Sequence, residues 1–281
     1  MNLFSRVEDF IYKKIIRKIL LMSQLGRQSV LGDAATGYNF DYMYRNQAHG
    51  SYGVGKLVDH FLLRLPAVKA TRARKNKIIK MIGKEIEKNE SSNQTIKIMD
   101  IACGAARYLI ELQSTFGRRN VEILALDYDH KSLQLGREIA ESYGVSDDRL
   151  RFIKGNAFRI SKLQEFGKKI NWIPDILIAS GLIEYLNDDD AQGAFREIYK
   201  GLSDGGVFIF ANQQRNPSRK LMEKVCMTRD GAWVLNYREP DIVLDWLAKS
   251  GFVQIRYETD AWGMYNLFHA KKSGEINGNN Q

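Results

Sequence analysis

From residue 96 to residue 272, short apolar runs typical of strands alternate with amphipathic segments typical of helices. Such alternation predicts consecutive βαβ units, and hence a mostly parallel sheet with helices on both faces. The last two runs, "FVQIRYETD" and "YNLFHAKK", are spaced like a hairpin, which makes the final strand antiparallel. The predicted fold class is therefore α/β, with a doubly wound sheet.

The N-terminal third of the chain differs from the rest in charge. Residues 1–95 contain 17 Lys and Arg against 8 Asp and Glu, a net charge of +9, which is the net charge of the whole chain of 281 residues. We therefore expect two unlike parts, with the polar stretch "NESSNQ" between them. The predicted organisation is an N-terminal helical cap or lid over 1–95, a ligand-binding domain over 96–272 and a disordered tail over 273–281.

The beginning of the chain has the pattern of an amphipathic helix with a basic face. Its apolar residues at helical spacing are Phe4, Val7, Ile11, Ile15, Ile19 and Met22. We expect this helix to pack on the main domain with its charged side in solvent. Binding to a membrane surface or to another anionic partner is the alternative.

Several classes of protein are disfavoured by composition. No apolar run reaches the 18 residues that a membrane span needs. Lys and Arg interrupt the N-terminal apolar residues throughout, which argues against a signal peptide. Two cysteines, Cys103 and Cys226, indicate a reducing compartment, and we expect a cytoplasmic protein. The four histidines lack metal-ligand spacing, and no basic-aromatic nucleic-acid motif is present. We expect a small-molecule substrate, no metal, no nucleic acid and no integral membrane association; the oligomeric state stays open.

The stretch "IKIMDIACGAARYLIELQ", residues 96–113, indicates where a ligand binds. A strand ends at Asp100, small residues follow, and a helix pattern begins. Small residues at Ala102, Gly104 and Ala106 allow a ligand to approach the backbone, and the helix N-terminus offers unpaired N–H groups. Asp127 ends the next strand, where a carboxylate can accept hydrogen bonds from both hydroxyls of a ribose.

These motifs together resemble the class I S-adenosylmethionine (SAM) dependent methyltransferases. "DIACGAAR" is similar to their first motif, "KGNAF" to the segment that contacts adenine, and "PDILIASGLIEYL" and "LSDGGVFIF" to the fourth strand and the turn before the fifth. The resemblance implies a seven-stranded Rossmann-like sheet and SAM as cofactor. It implies the following cofactor-binding set: Asp100, Ala102, Cys103, Gly104, Arg107 (for the methionine carboxylate), Asp127 (for the ribose), Tyr128, Asn156, Ala157 (with Asn156 at the adenine) and Ser180.

A narrower resemblance extends into the N-terminal part. "YMYRNQAHGSYGVGKLVDHFLL", "TRDGAWV" and "DAWGMYNL" resemble a bacterial family of methyltransferase-like proteins, some of them fused to α/β hydrolases. That family indicates no methyl acceptor. The chain departs from its pattern at Tyr185, where an apolar residue is expected, and at Asn216, where a His is expected.

The aromatic residues suggest how SAM is used. Tyr38, Tyr42, Tyr44 and Trp262, with Tyr52 and Tyr185, could form an aromatic lid around the sulfonium, because a cation is stabilised over an aromatic face. A closed pocket of this kind suits a reaction in which SAM has no partner: its α-amine attacks its own γ-carbon and expels methylthioadenosine.

The joint presence of Tyr185 and Asn216 makes the chain similar to azetidine-2-carboxylate synthases, which catalyse that cyclisation on the methyltransferase fold. The resemblance implies that Tyr185 and Asn216 are catalytic and orient the amine. Cyclisation is the first prediction for the reaction, and methyl transfer to a small molecule is the alternative. Glu184 is the one acid in "GLIEYL" that could act as a base.

Overall fold

A computed structural model describes residues 3–51, 53–89, 94–116, 120–157 and 163–274. The helices are α1 (Leu3–Phe10), continued by a π-helical turn (Ile11–Ile16) into α2 (Arg17–Leu20), α3 (Gln24–Val30), α4 (Gly37–Arg45), α5 (Val54–Leu63), α6 (Pro66–Lys88), α7 (Arg107–Phe116), α8 (His130–Ser142), α9 (Leu163–Lys169), α10 (Asp188–Gly201), α11 (Arg219–Val225) and α12 (Pro240–Lys249). A 3₁₀ turn covers Ile183–Tyr185.

Seven strands form one sheet in the order β3-β2-β1-β4-β5-β9-β8. They are β1 (Ile96–Asp100), β2 (Val121–Asp127), β3 (Leu150–Lys154), β4 (Ile176–Ala179), β5 (Val207–Gln213), β8 (Phe252–Thr259) and β9 (Tyr265–Lys272). The first five pair in parallel, and β9 runs antiparallel to both β5 and β8. The predicted Rossmann-like sheet with an antiparallel last strand is confirmed. A small separate hairpin joins β6 (Met227–Thr228) and β7 (Gly231–Ala232).

Both faces of the sheet are buried, as its nearly continuous apolar strands require. All residues of β4 and β5 are buried. Helices α9, α10 and α12 cover one face, where Phe195 packs against Phe208 and Phe210. Helices α6, α7 and α8 cover the other.

The predicted boundary near residue 95 separates α6 from the sheet, whereas the structure packs α6 into the core. Ile78, Ile82 and Ile86 are fully buried, one helical turn apart, in the same cluster as β1 and β5. The covering helices that stand over the sheet edge are therefore α1 to α5. They share a smaller apolar cluster with α11, which includes Leu25, Met43 and Val225.

The segment that we expected to be an irregular aromatic lid contains a regular, capped helix. Thr36 caps α4 through its hydroxyl, which accepts a hydrogen bond from the Asn39 N–H, and Asn46 ends the helix in the left-handed region at φ 53°. Tyr42 and Met43 are buried. Tertiary packing therefore orders a segment whose sequence shows no period.

The N-terminal helix forms as predicted, but its apolar stripe does not pack on the protein. Phe4 is 87% exposed and Ile15 is 47% exposed, whereas Tyr12 and Ile16 pack on the apolar cluster of the covering helices. Ion pairs from Glu8 and Asp9 to Lys220 and Lys224 of α11 fix this orientation. The apolar face that we expected to be buried is therefore exposed, whereas the basic side chains lie in solvent as expected.

Some predictions fall outside the described residues. These are the lid residue Tyr52, most of the polar linker (residues 90–93), Phe158 of the adenine segment, and residues 275–281 of the expected tail.

Candidate functional site

A cavity of about 360 Å³ opens at the C-terminal ends of β1, β2 and β4. The loop after β1, the end of β2 and the segments after β3 and β4 form its floor, and α4 with the β6–β7 hairpin covers it. The neighbours β1 and β4 lie at the point where the strand order reverses, which is where open α/β sheets bind ligands.

The loop after β1 presents its backbone to the cavity. Gly104 and Ala106 adopt φ values of +58° and +51°, in the left-handed region that a side chain seldom occupies. The first residue of α4, Gly37, lies against this loop, and a Cβ on Gly37 would stand 2.5 Å from the Ala105 nitrogen. Glycine at 37 therefore allows the covering helix to rest directly on the cofactor loop.

Asp127, predicted to bind the ribose, ends β2 and lines the cavity. Its Oδ2 accepts a hydrogen bond from the Gly104 N–H at 2.7 Å, and its Oδ1 accepts one from the Asp129 N–H at 2.8 Å. Burial raises the pKa of Asp127. The carboxylate is thus held in one orientation by the loop that would bind the rest of the cofactor.

Asp100 lies behind the loop and does not line the cavity. It is fully buried, its Oδ1 accepts a hydrogen bond from the Ala102 N–H at 3.1 Å, and the Tyr108 hydroxyl donates to its Oδ2. Burial raises the pKa of Asp100 to about 7. Its role is to shape the loop, since direct contact with a ligand would need it on the cavity wall.

The other predicted cofactor residues are spread along the cavity wall. Those that line it are Ala102, Cys103, Gly104, Arg107, Tyr128, Asn156, Ala157 and Ser180. Tyr128 is 65% exposed, beside the end of β2 where a flat ligand group could stack on its ring. Cys103 is buried, and burial raises the pKa of its thiol, so it is a packing residue with no nucleophilic character.

Three arginines line the cavity, Arg74, Arg107 and Arg229, and the sequence analysis predicted only Arg107 as a cofactor residue. Arg107, the predicted partner of the methionine carboxylate, forms an ion pair with the buried Asp41 of α4. Arg74 of α6 is 3% exposed, with Nη1 3.7 Å from Glu184 Oε1 and its guanidinium carbon 4.7 Å from the centre of the Tyr265 ring. Among the described residues, its Nε has no hydrogen-bond partner. A signal existed: Arg74 occupies an apolar position in the stripe Thr71, Ile78 and Ile82.

A second, smaller cavity of about 80 Å³ adjoins the first. Phe40 and Tyr185 line both cavities and form the wall between them. The second cavity is mostly apolar and is lined by the inner sides of the covering helices, with residues such as Leu20, Leu25, Leu62 and Val68. It could hold a small molecule with an apolar body next to the cofactor.

Glu184 is the carboxylate among the residues that line the second cavity. It is 2% exposed, and burial raises its pKa, which the positive charge of Arg74 partly offsets. Its Oε1 is 3.5 Å from the Gln213 Nε2, and its Oε2 has no partner among the described residues. A carboxylate with a raised pKa and a free oxygen is suited to accept a proton.

The two predicted catalytic residues lie in different surroundings. The Tyr185 hydroxyl accepts a hydrogen bond from the Trp233 Nε1 at 2.9 Å, and Tyr185 borders both cavities. Asn216 lines only the second cavity, and its Nδ2 donates to the Gln213 Oε1 at 3.0 Å. The structure therefore does not place Asn216 beside the cofactor loop, as orientation of the SAM amine would need.

Of the described residues of the predicted aromatic lid, Tyr44 and Tyr185 line the cofactor cavity. Tyr38 does not line the cavity and lies beside Asp33 and Arg229. The Tyr42 hydroxyl donates to the buried Asp59, and Trp262 packs on the sheet core beyond the cavity. The lid interpretation of Tyr42 and Trp262 has no support in the structure, because their rings are used in packing. The residues that cover the cavity instead are Phe40 of α4 and Thr228 and Arg229 of the hairpin.

The sheet order, the left-handed loop after β1 and the acid at the end of β2 define a protein of the class I SAM-dependent methyltransferase superfamily. The chain belongs to the family described as "Putative methyltransferase", whose model matches residues 4–272. The predicted superfamily and the SAM cofactor are confirmed, and the chain is a SAM-dependent, methyltransferase-like enzyme.

Similar proteins extend the comparison. "Uncharacterized protein YnbC" of Escherichia coli K12 is 26% identical over 235 residues, which are 83% of this chain but only 39% of that protein. A "possible exported protein" from Bordetella parapertussis has a similar structure, with a TM-score of 0.69 at 18% identity over 96% of this chain and 93% of that one. The magnesium protoporphyrin IX methyltransferase of Synechocystis PCC 6803, solved with bound S-adenosylhomocysteine, has a similar structure with a TM-score of 0.60 at 11% identity. The match covers 88% of this chain and 99% of that one.

The described residues offer neither a metal site nor a membrane-spanning helix. No group of three or more His, Cys, Asp or Glu side chains there has the geometry of a metal site. Over the same residues, no helix combines the length and the apolar character needed to cross a membrane.

Proposed function

We propose that this protein transfers the methyl group of SAM to a small acceptor held in the second cavity. The observation that carries this proposal is the unpartnered Oε2 of Glu184, which borders a mostly apolar space next to the cofactor cavity. Cyclisation of SAM needs no second substrate space, and Glu184 does not line the cavity that would hold the SAM amine. Family membership also favours transfer over cyclisation.

In the proposed reaction, SAM lies in the first cavity with its ribose on Asp127 and its adenine beside Asn156. The methyl group points toward Tyr185, at the wall between the two cavities. An acceptor with a hydroxyl or amine group donates a hydrogen bond to Glu184. Its lone pair forms a bond to the methyl carbon while the sulfur–methyl bond breaks, and S-adenosylhomocysteine is left. The acceptor proton passes to Glu184.

Arg74 has two roles in this proposal. Its charge keeps part of the Glu184 population ionised in a buried site, which a base requires. Its Nε is also the better candidate for the methionine carboxylate than Arg107, because Asp41 already pairs with Arg107. The acceptor is small and largely apolar, because the second cavity offers about 80 Å³.

Glu184→Gln tests the base. With a panel of small phenols, alcohols and amines, the wild-type protein forms S-adenosylhomocysteine with at least one acceptor, and Glu184→Gln lowers this rate by about 10²-fold or more. SAM affinity changes less than about threefold, because Glu184 does not line the cofactor cavity. The exposed Glu165→Gln is the matched control and keeps the wild-type rate. Equal rates for wild type and Glu184→Gln would remove Glu184 from the reaction.

A further inference from the structure

The outer side of the covering helices carries a continuous set of exposed apolar residues. On α1, the π-helical turn and α2, these are Phe4, Val7, Phe10, Ile11, Ile15 and Ile19. Helix α5 adds Val54, Leu57 and Phe61, of which Leu57 is 71% exposed and Phe61 is 66% exposed. The two stripes adjoin, because the backbone of α5 at Gly55 lies against the carbonyl of Met22, just after α2. We call these nine residues the apolar platform.

Isolated exposed apolar residues are normal, but a joined set on neighbouring helices marks an interaction surface. The π-helical turn contributes to this set. It changes the residue spacing within a helix, and here Ile11 and Ile15 stay on the exposed side with Phe4 and Ile19. The same helix has partly buried Tyr12 and Ile16 on its inner side. The exposed apolar stripe therefore takes no part in packing the helix on the protein.

The exposed charges on the helix that carries most of the apolar platform are mainly positive, whereas the nearby carboxylates face the protein. Lys13, Lys14, Arg17 and Lys18 are exposed on the same helix, and residues 10–32 contain no Asp or Glu. The acids that precede this stretch, Glu8 and Asp9, face α11 and pair with its lysines. Within the described part of the chain, no carboxylate lies within ion-pair distance of Lys14, Arg17 or Lys18.

Helix α5 has the same distribution of charge. Lys56 and Arg64 are exposed beside its apolar stripe, whereas its one acid, Asp59, is fully buried and accepts hydrogen bonds from Leu25 and Tyr42. Two neighbouring helices thus present apolar and cationic side chains together and keep their carboxylates inside.

We infer that the apolar platform and the lysines and arginines around it dock the protein on an anionic phospholipid surface. Apolar side chains on a helix lying in the interface enter the acyl boundary, and Lys and Arg on its polar side contact lipid phosphates. A second copy would bring its own cations against these, whereas an anionic phospholipid surface matches both the apolar residues and the cations interleaved with them. The inner sides of α2, α3 and α5 line the second cavity, so docking would bring that cavity within about one helix diameter, roughly 10 Å, of the lipid. This inference stands apart from the proposed reaction.

Vesicle flotation of the full chain tests the inference. The protein should float with vesicles of phosphatidylcholine mixed with phosphatidylglycerol and stay behind with pure phosphatidylcholine. Added salt should weaken binding, because the ionic part of the attraction is screened.

Two double variants separate the charge from the apolar contribution. Lys14→Glu/Lys18→Glu and Ile11→Ser/Ile15→Ser should each weaken binding to the anionic vesicles by at least about tenfold. The matched controls are Lys168→Glu/Lys169→Glu on α9, which makes the same change of charge, and Val253→Ser on β8, an exposed apolar residue 42% accessible. Both controls should bind as the wild type does, and unchanged SAM affinity should report intact folding in all variants.

Three results would overturn the inference. One is the absence of flotation with anionic vesicles at low salt. Another is an equal loss of binding in the α9 control and in the Lys14→Glu/Lys18→Glu variant, which would indicate a general effect of net charge. The third is a concentration-dependent dimer, seen by sedimentation, that Ile11→Ser/Ile15→Ser abolishes without any effect on flotation. In that case a second copy of the chain covers the apolar platform.

Discussion

The two adjoining cavities are built in different ways. The cofactor cavity is formed at strand ends by a short stretch of backbone and by polar side chains in fixed positions, such as Gly104 and Asp127. The second cavity is formed by apolar side chains from several segments far apart in sequence, and its Glu184 is paired with Arg74 of the cofactor cavity. The first arrangement suits a cofactor common to a large superfamily, whereas the second can change with the substrate.

If this contrast holds, the largest effect should come from the buried ion pair. Arg74→Met leaves the Glu184 carboxylate without its ion-pair partner in a site that water does not reach. We expect a loss of about 3–5 kcal/mol in the free energy of unfolding, measured by urea denaturation. The double variant Arg74→Met/Glu184→Gln should recover much of that loss, because no isolated charge then remains. Stability of the single variant within about 1 kcal/mol of wild type would contradict the contrast.

The next effect concerns the cofactor cavity. Asp127→Asn removes the charged acceptor for two ribose hydroxyls, each bond being worth about 1.5–3 kcal/mol. SAM affinity measured by calorimetry should fall at least about 100-fold. The exposed Asp147→Asn is the control and should bind SAM as tightly as the wild type. Unchanged affinity in Asp127→Asn would remove this residue from the cofactor site.

The third prediction tests the support behind the cofactor loop through pH. The pKa of Asp100 is raised from 3.8 to about 7, so the folded protein keeps a proton that the unfolded chain releases above about pH 4. Its contribution to stability is complete below about pH 4 and is lost as the pH rises to about 7.

Asp100→Asn cannot lose that proton. Its unfolding free energy should therefore fall less than that of the wild type between about pH 4 and pH 7, by about 3 kcal/mol. Parallel stability curves for the two proteins would show that Asp100 does not titrate in this range.

The smallest effect belongs to the wall between the cavities. Tyr185→Phe keeps the ring and deletes the hydroxyl that accepts a hydrogen bond from Trp233. SAM affinity should stay within about twofold and turnover should fall less than about tenfold, because one neutral hydrogen bond contributes about 1 kcal/mol. A loss of 10³-fold or more in turnover would instead make the hydroxyl catalytic, as cyclisation requires.

The contrast between the cavities also explains how far the sequence leads. The sheet, its antiparallel last strand and the loop with Asp127 follow from local patterns: strand period, small residues after β1 and an acid at a strand end. Arg74 was missed because its place in the apolar stripe of α6 indicates burial but does not indicate that it reaches the ligand cavity. The outward face of α1 was mispredicted because amphipathic spacing identifies an apolar face but not what covers it. Asn216 binds its near neighbours in sequence, Gln213 and Met222, and only the tertiary fold shows that it lines the second cavity and not the cofactor cavity.

The most direct measurement of the central claim is the fate of SAM labelled in its methyl group. Incubated with SAM alone, the protein should release neither S-adenosylhomocysteine nor methylthioadenosine above the rate in buffer. With the acceptor panel present, the label should move to one acceptor while an equal amount of S-adenosylhomocysteine forms. Methylthioadenosine that retains the label, formed steadily from SAM with no second substrate, would contradict methyl transfer and would favour cyclisation.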